Sequence, residues 1–295
     1  MIGTAITNKL ISKGHEVIIL TRDKSKYTND SSLSFAEWDL EKQTIERAAI
    51  EKADHIINLA GAGVADKRWT EKRKQEIRDS RVKAGQVLVK SLNEIPNKVQ
   101  SVINASAIGW YGPDGQHRIE RPFTETDHAF TDFLGSTCLQ WQQSIEPVRE
   151  LGKRLVIIRT GIVLAKKGGA FPEFVKPLKF GMATILGSGK QIVSWIHIND
   201  LVNIYIYAIE NADMKGVFNA VAPHPVTNKD LILSIARARK RFFIPVKVPS
   251  FVLKTVLGEM SVEVLKSATV SGRKVMDEGF QFQFSNIASA VQSLV

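Results

Sequence analysis

A hydroxyl and a phenol stand close together where an apolar run ends, because Val102-Ile103-Asn104-Ala105-Ser106 continues into Ala107-Ile108-Gly109-Trp110-Tyr111-Gly112. A phenol exchanges a proton with a carbinol or carbonyl oxygen when a nearby cation lowers its pKa, and a serine hydroxyl can hydrogen-bond the same oxygen. Ser106 and Tyr111 are therefore the candidate catalytic residues. Taken alone, a tyrosine in such a turn is more often a buried aromatic. Arg22, in Thr21-Arg22-Asp23, has the planar donor fork that suits a phosphate. Behind the small-residue run Asn58-Leu59-Ala60-Gly61-Ala62-Gly63 lie Asp66, Arg68 and Trp69, which could recognise a substrate by charge and stacking or simply start the next helix. His197 could exchange a proton or make a structural hydrogen bond. Cys138 has no histidine near it in sequence and reads as a small buried hydrophobe. Lys190, in Gly187-Ser188-Gly189-Lys190-Gln191, lacks the glycine spacing and the following hydroxyl of a phosphate loop.

These side chains need elements to position them. Ile2, Ile6, Leu10 and Ile11 recur at helical spacing, Gly14 stops the helix, and residues 16–21 form a β-rich run. Further apolar runs at 54–60, 99–105 and 154–164 alternate with helical patterns at 70–92 and 133–150, which predicts a parallel sheet covered by helices. Chemistry in such sheets gathers at the carboxyl ends of the strands. The reading is therefore α/β, a Rossmann-like doubly wound parallel sheet with a smaller substrate and C-terminal lobe. Residues 1–165 form the core, 166–245 complete it and begin the substrate lobe, and 246–295 make a small C-terminal subdomain with helical runs at 251–257 and 262–268. In this frame Arg22 ends the second strand of a dinucleotide fold. An acid there would take the ribose hydroxyls of NAD, whereas an arginine accommodates the 2′-phosphate of NADP. Leu59, Ala60 and Gly61 would let a flat cofactor approach the backbone. Met1-Ile2-Gly3-Thr4-Ala5-Ile6 matches the tail of a Gly-x-x-Gly-x-x-Gly turn with Gly3 as its last glycine, so the first strand and the first two glycines are expected to be missing.

The chain resembles the extended short-chain dehydrogenase/reductase superfamily and, more narrowly, its NAD-dependent epimerase/dehydratase-like branch. The resemblance rests on Asn58-Leu59-Ala60-Gly61, Arg68-Trp69-Thr70 through Ile77-Arg78-Asp79-Ser80-Arg81-Val82, Ser106 through Gly112, and Arg159-Thr160-Gly161-Ile162-Val163-Leu164. It continues through Leu186-Gly187-Ser188-Gly189, Ser194 through Leu201, Asn219-Ala220 and Pro225-Val226-Thr227-Asn228. It ends at Leu257-Gly258-Glu259-Met260, which is similar to the small C-terminal domain of unknown function in this branch. The resemblance implies an NAD(P)-binding epimerase or oxidoreductase acting on a carbinol or sugar-nucleotide-like substrate, with NADP ahead of NAD. It places Arg159, Thr160 and Gly161 with the cofactor, Arg68, Trp69 and His197 on the substrate side, and implies a possible homodimer. One departure concerns chemistry. The superfamily pairs tyrosine and lysine as Tyr-x-x-x-Lys, and the corresponding helix here reads Cys138-Leu139-Gln140-Trp141-Gln142. A nucleotide-sensing or partner-binding protein that kept the fold and lost catalysis is the alternative.

Composition sets the outer bounds. The 295 residues are 44% hydrophobic and 24% charged, ordinary globular values that argue against disorder and coiled coil. Forty basic against thirty acidic residues give a net charge of +10. The charges are interleaved, as in 71–79, and no nucleic-acid motif accompanies them, so the expectation is a small-molecule substrate and no nucleic acid. No run approaches the roughly 18 apolar residues of a bilayer span, and no secretory signal is visible, so no membrane and a cytoplasmic location are expected. One cysteine and six scattered histidines give no structural metal site.

Overall fold

The computed structural model describes residues 1–115 and 120–295. Helix α1 (Ile2–Ser12) buries Ile6 and Leu10, and the chain turns through Gly14 at φ +86° into β1 (Val17–Thr21). Strands β2 (Leu33–Asp39) and β3 (Thr44–Ile45), the short helix α2 (Arg47–Lys52) and β4 (His55–Asn58) follow. Helix α3 (Glu71–Glu94) starts at Thr70, whose Oγ1 accepts from the Arg73 backbone at 3.2 Å. Strand β5 (Ser101–Ala107), helix α4 (Phe133–Ile145), capped by Asp132, and β6 (Arg154–Thr160) complete the centre of the fold.

The apolar run 154–164 predicts one strand, and the structure makes two. A Cβ on Gly161 would sit 2.5 Å from the Ser194 carbonyl oxygen, so the backbones cross there and the chain leaves the main sheet. It continues as β7 (Ile162–Leu164), followed by α5 (Phe171–Leu178), β8 (Met182–Leu186), β9 (Ile192–Val193) and β10 (Trp195–His197). Helix α6 (Ile198–Glu210), β11 (Gly216–Ala220), β12 (Val226–Thr227), α7 (Asn228–Ala238) and β13 (Ile244–Val248) come next. The chain closes on α8 (Ser250–Leu257), α9 (Ser261–Leu265), α10 (Arg273–Asp277) and α11 (Ile287–Gln292).

A parallel four-stranded sheet in the order β11-β6-β5-β4 forms the centre, with Ser106 opposite Arg159 in register. A second sheet in the order β1-β2-β3 lies apart from it, with β1 and β2 parallel. Residues 155–158 of β6 are fully buried and all apolar, as expected of a parallel strand covered on both faces. One face carries α1 and α6 around Ile6, Leu10, Leu201 and Tyr205, and the other carries α2 and α3 around Ile50, Leu88 and Leu92. Helices on both faces of a parallel sheet make the architecture doubly wound. A separate cluster around Phe171, Leu231, Ile235 and Val291 sits in the later half. Among the described residues, no helix is long and apolar enough to cross a membrane.

Candidate functional site

Ser106 lies near the end of β5 beside the middle and later part of α4, where Cys138 and Gln142 lie one helical turn apart. Gln142 Nε2 donates to Ser106 Oγ at 2.7 Å, and Gln142 Oε1 accepts from Arg159 Nη2 at 3.2 Å. The guanidinium of Arg159 is buried and lies 3.7 Å from the centre of the Trp110 ring. Its Nη1 also donates to Tyr111 Oη at 3.0 Å and to the Glu125 carbonyl at 3.1 Å. Helix α4, the turn after β5 and the Glu125 carbonyl thus converge on one buried cation at the end of β6.

Tyr111 and Ser106 are both buried. The Tyr111 side chain is fully buried, and its Oη lies 2.7 Å from Asn219 Oδ1 and 2.9 Å from the Thr124 carbonyl. Burial pushes the phenol up to about 12 although the Arg159 charge opposes the rise. A phenol so placed keeps its proton and serves as a buried hydrogen-bonding hub, because its single proton is already committed to protein acceptors. Ser106 is linked to it through Gln142 and Arg159. Cys138 is also buried, its Sγ 3.7 Å from the Ala107 carbonyl, and burial raises its thiol to about 11 against the pull of Arg81 and Arg159. It stays neutral at ordinary pH and is no nucleophile there.

The loop after β4 is held from below by α3. Asn58 Nδ2 donates to Asn104 Oδ1 at 2.6 Å, and Asn58 Oδ1 accepts from the Ala60 amide at 3.2 Å. Arg81 Nη1 donates to the carbonyls of Ala62 and Ile77, Ser80 Oγ accepts from the Ala62 amide, and Arg73 Nη2 donates to the Gly63 carbonyl at 2.5 Å. A Cβ on Gly61 would come within 2.8 Å of the Arg81 guanidinium carbon, so glycine is what lets this cation lie against the loop. Gly3, Leu59 and Ala60 line one cavity, and a Cβ on Gly3 would sit 3.6 Å from Leu59 Cδ1. Helix α1 has no side-chain cap at its start, so its first N–H groups are available to an anion. Arg22 is exposed at the carboxyl end of β1. The neighbouring acid, Asp23, is tied down locally by Ser25 N at 3.1 Å, Ser25 Oγ at 2.6 Å and Lys26 at 3.0 Å.

The remaining predicted residues have the following contacts. Thr160 closes β6, and Gly161 permits the backbone crossing described above. Arg68 Nη2 donates to the Thr255 carbonyl at 3.2 Å, and Trp69 Nε1 donates to the Val64 carbonyl at 2.9 Å while its ring meets Phe133 edge-on. These two residues join the Gly61 loop to α8 and α4. His197 is buried. It is the N-cap of α6, with Nδ1 accepting from the Asn199 amide at 3.1 Å and Nε2 lying 3.1 Å from Ser293 Oγ. Since Nδ1 accepts, the proton sits on Nε2, and burial holds the imidazole neutral with its pKa down to about 4.

Sequence reasoning missed Gln142, Arg81 and Lys266. The i,i+4 spacing that located Cys138 also held the signal for Gln142. Lys266 left no local signal: its Nζ donates to the Tyr111 carbonyl at 3.2 Å, 155 residues away, and pairs with Glu263, whose carboxyl burial pushes up. Among the described residues, no group of three or more His, Cys, Asp and Glu side chains could hold a metal ion.

Comparison with known proteins agrees with this architecture. The sequence model of the NAD dependent epimerase/dehydratase family matches residues 1–220, and that of a domain of unknown function (DUF1731) matches residues 248–294. The chain is 35% identical over 297 residues to the epimerase family protein YfhF of Bacillus subtilis, covering 100% of this chain and 94% of the relative. It is also 35% identical over 299 residues to an epimerase family protein of Staphylococcus aureus, covering 100% and 96%. Among solved structures, human epimerase family protein SDR39U1 with NADPH superposes with a TM-score of 0.86 at 27% identity, covering 100% of this chain and 95% of that one. A nucleoside-diphosphate sugar epimerase from Corynebacterium glutamicum gives 0.77 at 29% identity, covering 100% and 56%. With a doubly wound parallel sheet, the small-residue loop after β4 and family matches along most of its length, the chain belongs to the NAD-dependent epimerase/dehydratase family.

Proposed function

We propose that the chain binds NADP in preference to NAD and acts on a small carbinol or sugar-nucleotide-like substrate. The observation that carries the cofactor preference is at the end of β1, where Arg22 is exposed and the adjacent carboxylate of Asp23 is occupied by Ser25 and Lys26. A 2′-phosphate meets a guanidinium there, and no free acid competes for the ribose. The human relative solved with NADPH supports the same choice. The residues present fit the group, since Gly3, Leu59, Ala60 and Gly61 offer backbone without bulk and α1 offers uncapped N–H groups. When bound, the nicotinamide supplies or takes up hydride. Ser106 Oγ accepts from Gln142, and its hydroxyl, now against the Cys138 side chain, would turn to donate to the substrate oxygen.

The test is calorimetric titration of NADPH and NADH, followed by turnover assays on a panel of carbonyls and sugar nucleotides. NADPH binding at least tenfold tighter than NADH supports the cofactor reading, and equal or absent binding overturns it. A second reading, a nucleotide-responsive protein without turnover, is favoured by one observation. The phenol and thiol nearest Ser106 are both held in their neutral forms by burial, so neither is poised for proton transfer near neutral pH. NADPH binding with no turnover on any substrate selects that reading.

A further inference from the structure

Two helix-to-strand turns lie side by side in the later half of the chain. After α5 the backbone turns through Gly181 at φ +74° into β8, and after α7 it turns through Lys240 at φ +50° toward β13. The Ile244 amide donates to the Gly181 carbonyl at 2.8 Å, and the two strands then run parallel with Met182 opposite Ile244 and Thr184 opposite Val246. Alternation along the strands separates two faces. Ala183 and Ile185 join the cluster around Leu231 and Ile235, with Phe243 packed against it, whereas Met182, Ile244 and Val246 are exposed. Phe180 and Phe242, one on each turn, are 80% and 84% exposed and are the two most exposed large apolar side chains among the described residues.

The charge of the chain gathers around this strip. Residues 174–190 and 231–258 hold nine basic residues and not one aspartate or glutamate. The rest of the chain is balanced at thirty-one basic against thirty acidic residues, so the interleaving seen at 71–79 gives way here. Lys179, Lys240, Arg241 and Lys247 are exposed, and of the nine only Lys176 forms an ion pair among the described residues, with Glu173. We propose that this face is a docking site for a bilayer surface rich in anionic phospholipid, with Phe180 and Phe242 seated among the headgroups and the lysines and arginines against the lipid phosphates. A contiguous apolar strip with a charged rim marks an interaction surface. Aromatic side chains at headgroup depth and basic side chains near an anionic leaflet act together, which is how a protein lies on a membrane without crossing it. The lack of a spanning helix among the described residues bears on crossing a bilayer and not on lying against one. Two other occupants fit less well. A second copy of the same face would set nine basic residues against nine, and Pro245 spoils β13 as an edge for pairing between copies. A single-stranded nucleic acid could stack on the two rings, but Met182, Ile244 and Val246 offer its bases no aromatic platform.

The proposal rests on neither the cofactor nor the substrate reading. Its test is sedimentation of the full chain with vesicles of phosphatidylcholine alone and with about one-third phosphatidylglycerol added. Binding is expected to be roughly tenfold or more tighter on the anionic vesicles, and to weaken roughly tenfold in a Phe180→Ser, Phe242→Ser pair and in a Lys179→Glu, Arg241→Glu, Lys247→Glu triple. A Lys52→Glu, Lys67→Glu, Lys72→Glu triple removes the same charge elsewhere and should stay within about twofold of the parent. All of these side chains are exposed, so an unchanged Tm is the control for folding. Phe242→Trp should gain fluorescence quenching by brominated acyl chains, which a contact through charge alone would not give. Equal binding to both vesicles, equal loss in the two charge triples, or parent-like binding by the serine pair overturns the proposal. A single-stranded oligonucleotide bound more tightly than the anionic vesicles and lost in the serine pair overturns it, as does a dimer in solution that the serine pair disperses.

Discussion

Gln142 is held in one orientation between Ser106 and Arg159. A guanidinium can only donate, so the amide oxygen must face Arg159, and the amide nitrogen is left to donate to Ser106 Oγ at 2.7 Å. The serine therefore accepts from the amide, and its hydroxyl also lies against the Cys138 side chain.

Replacing Gln142 by leucine removes both contacts while keeping a similar volume. The buried Arg159 Nη2 and Ser106 Oγ lose a partner, and a buried polar group left unsatisfied costs about 1–3 kcal/mol. Chemical denaturation is expected to show a loss in that range for Gln142→Leu, with Gln142→Glu retaining the contact to Arg159 and losing less. A leucine variant as stable as the parent would show that the amide contributes nothing.

Arg22→Glu is expected to weaken NADPH binding by roughly 10- to 100-fold and to leave NADH within about twofold, because only NADPH carries the phosphate that the arginine would grip. Arg22 is exposed, so the fold should be unaffected, and an unchanged Tm serves as the control. Equal weakening of both nucleotides would place Arg22 away from the ribose.

Tyr111→Phe deletes the hydroxyl that meets Arg159, Asn219 and Thr124. The expected loss is about 1–3 kcal/mol in unfolding free energy, since three buried partners lose an interaction. Ultraviolet titration of the native protein should show two tyrosines, Tyr111 and Tyr205, that burial keeps protonated well above pH 10, and Tyr111→Phe should remove one of them. A tyrosine titrating near pH 7 would restore Tyr111 as a proton-transfer group.

His197 makes stability depend on pH in a defined window. Its folded pKa of about 4 lies below the ordinary 6.5, so between these values the unfolded chain binds a proton that the native protein does not. Stability from this group is complete above about pH 6.5 and is lost as pH falls toward 4, by about 2–3 kcal/mol. His197→Asn, which keeps an acceptor at the helix start, should flatten the unfolding free energy across that window. An unchanged slope would assign the acid sensitivity elsewhere.

The alternation of apolar runs and helical periods was enough to read the parallel sheet, because strands buried on both faces are continuous in sequence and α3 shows its period over several turns. The boundaries at Gly161 were not readable, since that glycine matters through the Ser194 carbonyl, which arrives from another part of the chain. The same holds at the site. Ser106 was visible at the end of its strand, but its burial, like that of Tyr111 and His197, is what sequence does not display. Arg159 gathers partners from residues 111, 125 and 142, and only the folded sheet brings these together.

The carboxylate of Asp114 accepts from Ser267 Oγ, Thr269 N and Thr269 Oγ1, all within 2.8 Å, and Ala268 and Val270 pack beside Trp110, Tyr111 and Cys138. During synthesis, then, the central region waits for residues more than 150 positions later before this corner of its core can close. Until the last helices leave the ribosome, the nascent chain carries an unfinished apolar surface, the condition in which partly folded chains associate or recruit chaperones. A stop codon near residue 248 would release a polypeptide arrested at that stage, and its fate would be decided by cellular quality control rather than by any loss at the nucleotide end.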